Sequence, residues 1–320
     1  MILARFSGWA RISSLLIPAL LLIFSTASLF SQTIDDGIML KKRAFCTGVL
    51  YTNDHWARYW EGALERTNGN IGTITTQTTQ WAGNYGVTDK LDILASVPYV
   101  QTHASQGVLK GQSGLQDFTL AAKYKALSIP VKEFGALRAI LVVAGSVPIT
   151  DYTPDLQPLS IGLHSKTIAG RGTLNFLGRQ GLYLLGSADY TFRGNVKLDR
   201  SSYYTNGHLY LSNEVAMPNQ FSYNVAAGYR KNNTTIVGTF AQQQTRGGGD
   251  IRRQDMPFVS NRMNFSKAGI SIAYPVPRIK ELQYWFGYTN TFQGRNVGQA
   301  NTFTTGLMYT LHFTKGGDTL

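Results

Sequence analysis

Apolar and polar residues alternate with a period of two along most of the chain, and hardly any stretch carries the 3.6-residue period of a helix. Phe118, Leu120, Ala122, Tyr124 and Ala126 alternate with Asp117, Thr119, Ala121, Lys123 and Lys125. Leu182, Leu184, Gly186, Ala188, Tyr190 and Phe192 face away from Ser187, Asp189, Thr191 and Arg193. Phe221, Tyr223, Val225, Ala227 and Tyr229 repeat the pattern, and so do Phe303, Thr305, Leu307, Tyr309, Leu311 and Phe313. Successive strand side chains point to opposite faces, so each segment has one face suited to hydrocarbon and one suited to water.

The pattern predicts twelve strands, near 41–52, 71–86, 90–103, 114–127, 136–148, 166–176, 181–193, 220–231, 234–245, 262–274, 282–293 and 301–313. Short connections alternate with longer ones at 53–70, 104–113, 148–165, 194–220, 245–261 and 293–300. Short periplasmic turns alternating with long outer loops are the plan of a bacterial outer-membrane barrel, and an even strand count leaves both termini on the periplasmic side. The expected fold is therefore all-β, a transmembrane antiparallel up-and-down barrel. A soluble sandwich would carry charge on its exposed faces, but here one face of each strand is nearly free of it. Tyr99, Tyr124, Tyr190, Tyr229, Trp285 and Tyr309 are candidates for aromatic girdles at the membrane surfaces.

Composition agrees. Charged residues are 15% of the 320, below the roughly 25% usual in soluble chains, while aromatics reach 12% with 33 glycines. Arg5 and Arg11 precede an apolar run at 15–24, followed by Ser25, Thr26, Ala27 and Ser28. That order predicts a secretory signal over 1–31, cut after Ser31, with the barrel occupying 32–320. The run is too short for the ~20 residues of a spanning helix. Losing two arginines lowers the net charge from +12 to +10. For an exported chain that excess points to outer-membrane lipid and lipopolysaccharide, not to nucleic acid. Cys46 stands alone and is expected as a small buried strand residue.

Two segments carry a family resemblance. Tyr85-Gly86-Val87-Thr88-Asp89-Lys90-Leu91 leads to Val97-Pro98-Tyr99-Val100, and Gly114 and Asp117 lead into Phe118-Thr119-Leu120-Ala121-Ala122-Lys123-Tyr124. Over roughly 80–150 the chain resembles the bacterial outer-membrane barrels named for a meta-pathway of phenol degradation. The family's Pro-Thr-Gly is replaced by Pro148-Ile149-Thr150. The resemblance implies an outer-membrane channel or transporter more firmly than it implies phenol, and it brings no catalytic residues. By their own chemistry, Asp89 is suited to bond its turn's backbone. Pro98 needs a bulge or an unpaired position. Asp117 needs a partner in the lumen, for which Lys123 and Arg171 are candidates.

No catalytic, cofactor or metal set emerges. His55, His103, His164, His208 and His312 are scattered without metal-ligand spacing. Gly247-Gly248-Gly249-Asp250 lacks the Lys and Ser/Thr of a phosphate loop. Arg252 and Arg253 are candidates to touch lipopolysaccharide. No enzyme is expected. Strand parity gives a pore lining of Asp92, Asp117, Lys123, Lys125, Arg171, Asp189, Arg193, Arg230 and Lys267. Three acids against six bases predict a lumen that slightly favours anions or neutral solutes. The expected function is passage of small molecules, hydrophobic or aromatic ones included. The alternatives are a structural or adhesive surface protein, or a barrel that scaffolds a secretion or motility apparatus.

Overall fold

The computed structural model describes residues 33–252, 256–279 and 281–313, so the expected signal segment lies outside the described residues. Twelve long strands form the wall: β1 (Ala44–Trp56), β2 (Ile74–Thr88), β3 (Leu91–Ala104), β4 (Asp117–Val131), β5 (Gly135–Pro148), β6 (Thr167–Gly178), β7 (Leu182–Arg193), β8 (Asn219–Lys231), β9 (Thr234–Arg246), β10 (Asn264–Pro275), β11 (Leu282–Arg295) and β12 (Asn301–His312). Each pairs antiparallel with its neighbours in sequence, and β1 closes the ring by pairing with both β2 and β12. Phe45 sits opposite Leu311 on one side and Tyr85 on the other. Closure leaves no edge with unpaired backbone groups, the condition for crossing a membrane with strands.

Each expected strand is present, with its ends displaced by a few residues. β1 runs on to Trp56 because Asp54 and His55, polar though they are, still pair across to Thr302 and Asn301. β4 runs past 127 because a bulge between Lys125 and Leu127 inverts its parity. Before the bulge, Leu120 and Tyr124 face outward; after it, Leu127 and Ile129 do. An inserted residue ends a period-two pattern without ending the strand. Pro98 sits where the β3–β4 ladder breaks, since direct pairing stops at Ser96–Thr119. Beyond it, a short strand at Ser113–Leu115 takes over opposite Tyr99.

The turns at the end where β1 begins and β12 ends are short. Asn232 and Asn233, both at positive φ, form the two-residue link from β8 to β9, as a type I′ hairpin turn demands. In the β2–β3 turn, Thr88 caps the Lys90 amide at 3.1 Å. Asp89 accepts from the Lys42 amide at 3.0 Å instead of bonding its own turn.

Exposed tyrosines ring the outside of this short-turn end: Tyr85, Tyr124, Tyr229, Tyr274, Tyr284 and Tyr309. Tyr99, Phe192, Phe292 and Phe303 are exposed on the opposite half, with Tyr190 edge-on to Phe192. On β8, Phe221 and Tyr229 are about 27 Å apart along the strand, or about 20 Å along the normal at a tilt near 40°. That approaches the ~25 Å apolar band of outer-membrane barrels. Trp285 is not in either girdle. It lies on the inward face opposite Ala273 and Gly306, where small neighbours, Gly287 included, leave room for its ring.

Two predictions test the wall and its sidedness. Leu120 faces outward and is exposed, whereas Thr119 faces the lumen. Leu120→Arg is expected to destabilise the barrel by about 2–4 kcal/mol in lipid vesicles, and Thr119→Arg by much less. Denaturant titration compares them, and equal losses would mean the parity is misread here. Val108, 94% exposed in the loop 105–116, offers a sidedness probe, because the native Cys46 is buried. Val108→Cys should react with a membrane-impermeant maleimide on intact cells, in a protein whose gel mobility is heat-modifiable. Labelling only after the outer membrane is broken would reverse the orientation.

Candidate functional site in the lumen

The lumen is not an empty tube. The segment 33–40, ahead of β1, folds into the short-turn end of the barrel and is held there by inward-facing side chains. Asp36 first shapes it, accepting from the Thr33 amide at 2.6 Å and the Ile38 amide at 2.9 Å. Lys123, fully buried, then donates to the Thr33 carbonyl at 2.8 Å and to Asp36 Oδ1 at 2.7 Å. Arg171 bridges Asp35 of the segment and Asp189 of the wall, each at 2.8 Å. Asp92 accepts from the Leu40 amide at 2.9 Å, and Tyr183 Oη meets the Gly37 amide at 3.3 Å. Ile34 and Met39 pack against Leu94, Ala121, Ile140 and Val142. A Cβ on Gly37 would come within 2.5 Å of the Asn175 side chain, so this close approach requires glycine.

The other mouth is narrowed by the loop 149–166. Thr102 donates to the Leu159 carbonyl at 2.6 Å, and Gln116 to the Ile161 carbonyl at 2.5 Å. Val100, Tyr152 and Ile161 form a small apolar cluster. Tyr152 donates to Asp117 at 2.7 Å, so the partner of Asp117 is this loop tyrosine and not Lys123 or Arg171. Burial first, then the Asp117 carboxylate, pushes the Tyr152 phenol well above its ordinary value. Nearby, Val196, Leu198, Tyr203, Val215, Met217, Phe258 and Val259 make a core shared by the loops 194–218 and 247–263.

The remaining expected lining residues are dispersed. Lys125 faces inward near the short turns. Arg193 lies at the loop end of β7, opposite Thr167. Arg230 is buried with its guanidinium 5.9 Å from the Tyr183 ring centre. Lys267 lies over Phe265 at 5.4 Å. Sequence reasoning missed Asp54, which accepts from Thr302 at 2.6 Å, and Arg138, inward on β5 opposite Asn175. It also missed Asp35 and Asp36, although two acids directly after the expected cut, facing a basic lumen, were a readable signal. With these four added, six acids oppose seven bases inside the barrel. The inserted segment thus removes most of the expected positive excess.

The outer loops are tied together at Asn296, itself buried at a positive φ. Its Oδ1 accepts from the Gly62 amide at 2.7 Å and the Ile251 amide at 3.0 Å. Its Nδ2 donates to Asp250 and to the Arg262 carbonyl, both at 2.8 Å. Arg295 grips Asp250 with two bonds, at 2.8 and 2.5 Å, and this guanidinium is the main reason the Asp250 carboxyl lies below its ordinary value. Asp250 therefore serves a loop clasp beside the glycine run. Arg252 stacks 4.9 Å over Tyr204, while Arg253 lies outside the described residues. Among the described residues no three His, Cys, Asp or Glu side chains are grouped to hold a metal ion.

Residues 67–306 match the family described as "Putative MetA-pathway of phenol degradation", and the chain belongs to it. Among solved structures, the COG4313 outer membrane channel from Pseudomonas putida F1 superposes with a TM-score of 0.71 at 12% identity. The match covers 87% of this chain and all of that one, and it shows a shared fold. The NanC porin (TM-score 0.43, 10% identity, 82% of this chain and 100% of that one) is more distant. So is OprD from Pseudomonas aeruginosa (TM-score 0.37, 9% identity, 88% of this chain and 98% of that one). No curated protein matches the sequence. Family, closed wall and lipid-suited exterior together define an outer-membrane β-barrel.

The clasp yields a prediction. Asn296→Ala orphans two amides and should loosen the loops by about 1–3 kcal/mol, leaving the wall intact. Faster tryptic cleavage within 247–263, at unchanged heat-modifiable mobility, is the expected readout; unchanged cleavage would mean the loops are held elsewhere. Because the Asp250 pKa is depressed, its contribution is present at neutral pH. It is lost only as pH falls below the ordinary value of 3.8 and through the lowered one.

Proposed function

We propose that the protein is an outer-membrane channel for small molecules, hydrophobic or aromatic ones included, whose lumen is occupied by its own N-terminal segment. The observation that carries this reading is the segment 33–40, held within the barrel by a few ion pairs, hydrogen bonds and two apolar side chains. A wall with a purely structural role has no need of a polar lumen fitted with an inserted segment. Likeness to the Pseudomonas putida outer membrane channel supports the channel role, and the phenol in the family's description supports the solute class by likeness only. Cleavage after Ser31 fits the same reading, since Thr33 already lies against Lys123 inside the barrel. The reading includes neither a catalytic activity nor a nucleic acid partner. Lys125, Arg193 and Lys267 join Asp117, Asp189 and Arg171 as groups a solute would meet on the wall, while Arg230 stays buried beside Tyr183. Asp92 and Lys123 become accessible only when the segment is out.

The charge balance of the lumen supplies the test. With 33–40 in place the lumen is nearly balanced, so small currents with weak ion selectivity are expected in planar bilayers. Deleting 33–40 removes Asp35 and Asp36, leaving four acids against seven bases. Conductance should rise several-fold and the reversal potential should shift toward anion preference. Liposome swelling with sugars, amino acids and phenols then ranks solutes. Absence of current from both proteins would favour the structural or adhesive reading, and a shift toward cations would overturn the electrostatic one.

A further inference from the structure

The two ends of the barrel treat their charges differently. Five of the eight cation–carboxylate contacts among the described residues join outer-loop groups: Arg58–Glu65, Arg66–Glu61, Arg200–Asp155, Arg295–Asp250 and, when its imidazole is protonated, His164–Asp151. The other three hold the inserted segment and the wall around it. None of the eight lies at the short turns. Yet each of the five short turns carries an exposed base among the described residues: Lys90, Lys132, Arg179, Lys231 and Arg278. Lys41 and Lys42, exposed on the lead into β1, extend the series around the rim. Three acids, Asp89, Glu133 and Glu281, share that rim, and Asp89 is occupied by the Lys42 amide.

Depth makes the rim chemically specific. The turns are too short to carry their charges away from the wall, and the belt of exposed tyrosines lies directly above them. Tyr229 is two residues from Lys231, and Tyr124 pairs with Leu91 beside Lys90. A tyrosine belt marks the boundary between hydrocarbon and headgroups. The cations just beyond it therefore sit at headgroup depth, spaced around the circumference and not gathered in one patch. Flexible ammonium and guanidinium groups in that position match the phosphates of a negatively charged leaflet.

We infer that this rim is a binding surface for anionic phospholipid headgroups of the periplasmic leaflet, with one base from each turn engaging them. The inference rests on the barrel reading and its orientation, and it makes the lipid partner specific to one leaflet and one headgroup charge. It also accounts for the contrast between the ends, because several outer-loop bases are paired with outer-loop acids, whereas none of the five turn bases is in one of these ion pairs.

The test uses the mature protein folded into phosphatidylcholine vesicles with traces of spin-labelled lipid. Spin-labelled phosphatidylglycerol should associate with the protein about three-fold or more above spin-labelled phosphatidylcholine, a preference that fades in high salt. Replacing Lys90, Lys132, Arg179, Lys231 and Arg278 together with Gln should remove most of that preference, with only Lys41 and Lys42 left of the series. The pair Lys110→Gln and Lys197→Gln, in outer loops, should leave the preference intact. If the five-fold variant does not fold, Lys132→Gln with Lys231→Gln should give a partial loss, read beside the salt titration of the native chain. Equal association in the native protein overturns the inference. So does a preference that survives neutralising the turns, or one abolished by the outer-loop pair. Loss of heat-modifiable mobility in the native protein would instead overturn the barrel reading itself.

Discussion

Backbone amides cannot be left unpaired in hydrocarbon, where each costs several kcal/mol, and this constraint organises the whole molecule. A sheet meets it only by closing on itself, and β1 does so by pairing with both β2 and β12. Closure gives every strand one face toward lipid and one toward the lumen, so side-chain chemistry must follow a period of two. The exposed Leu120, Val143, Ile168 and Leu174 outside, and Lys123, Arg171 and Asp189 inside, are consequences of that single requirement.

Closure in turn creates a lumen whose contents must be satisfied. Lys123 is fully buried and would be costly there without a partner, and the partner arrives on a segment that is not part of the wall. Asp35 and Asp36 bring near-neutrality to a lining that is otherwise basic, while Ile34 and Met39 fill the apolar band around Ile140. At the other mouth, Tyr152 does for Asp117 what Asp36 does for Lys123. The contacts that seat 33–40 also supply the charge balance, so withdrawing the segment would uncover Lys123 and Asp92.

The ends beyond the hydrocarbon answer to different neighbours. Outer loops pack on one another through the cluster around Val196, Val215 and Val259 and through the clasp at Asn296, and several of their charges pair with one another. The short turns have no such bulk, so their bases stay exposed beside the tyrosine belt. Loop length alone produces this difference, since a turn of a few residues cannot fold back to pair with itself.

Wall, strand number and facing were legible in the sequence because they depend on local backbone geometry. Leu120 and Thr119 point opposite ways wherever the strand lies. Legibility failed where that geometry was interrupted or irrelevant. The bulge after Lys125 ended the visible alternation of β4 while the strand went on. Trp285 looked like a girdle residue by type, but pairing opposite Gly306 put it inside. The partners Asp36–Lys123 and Tyr152–Asp117 were beyond reach, because 87 and 35 residues separate them in sequence. The β4–β5 register, which sets Asp117 opposite Pro148, brings Tyr152 to Asp117, and only the closed ring brings Asp36 to Lys123. Strand parity sets the facing of most wall residues, and the closed ring sets what fills the lumen, because parity belongs to one strand and a cross-lumen contact belongs to the ring.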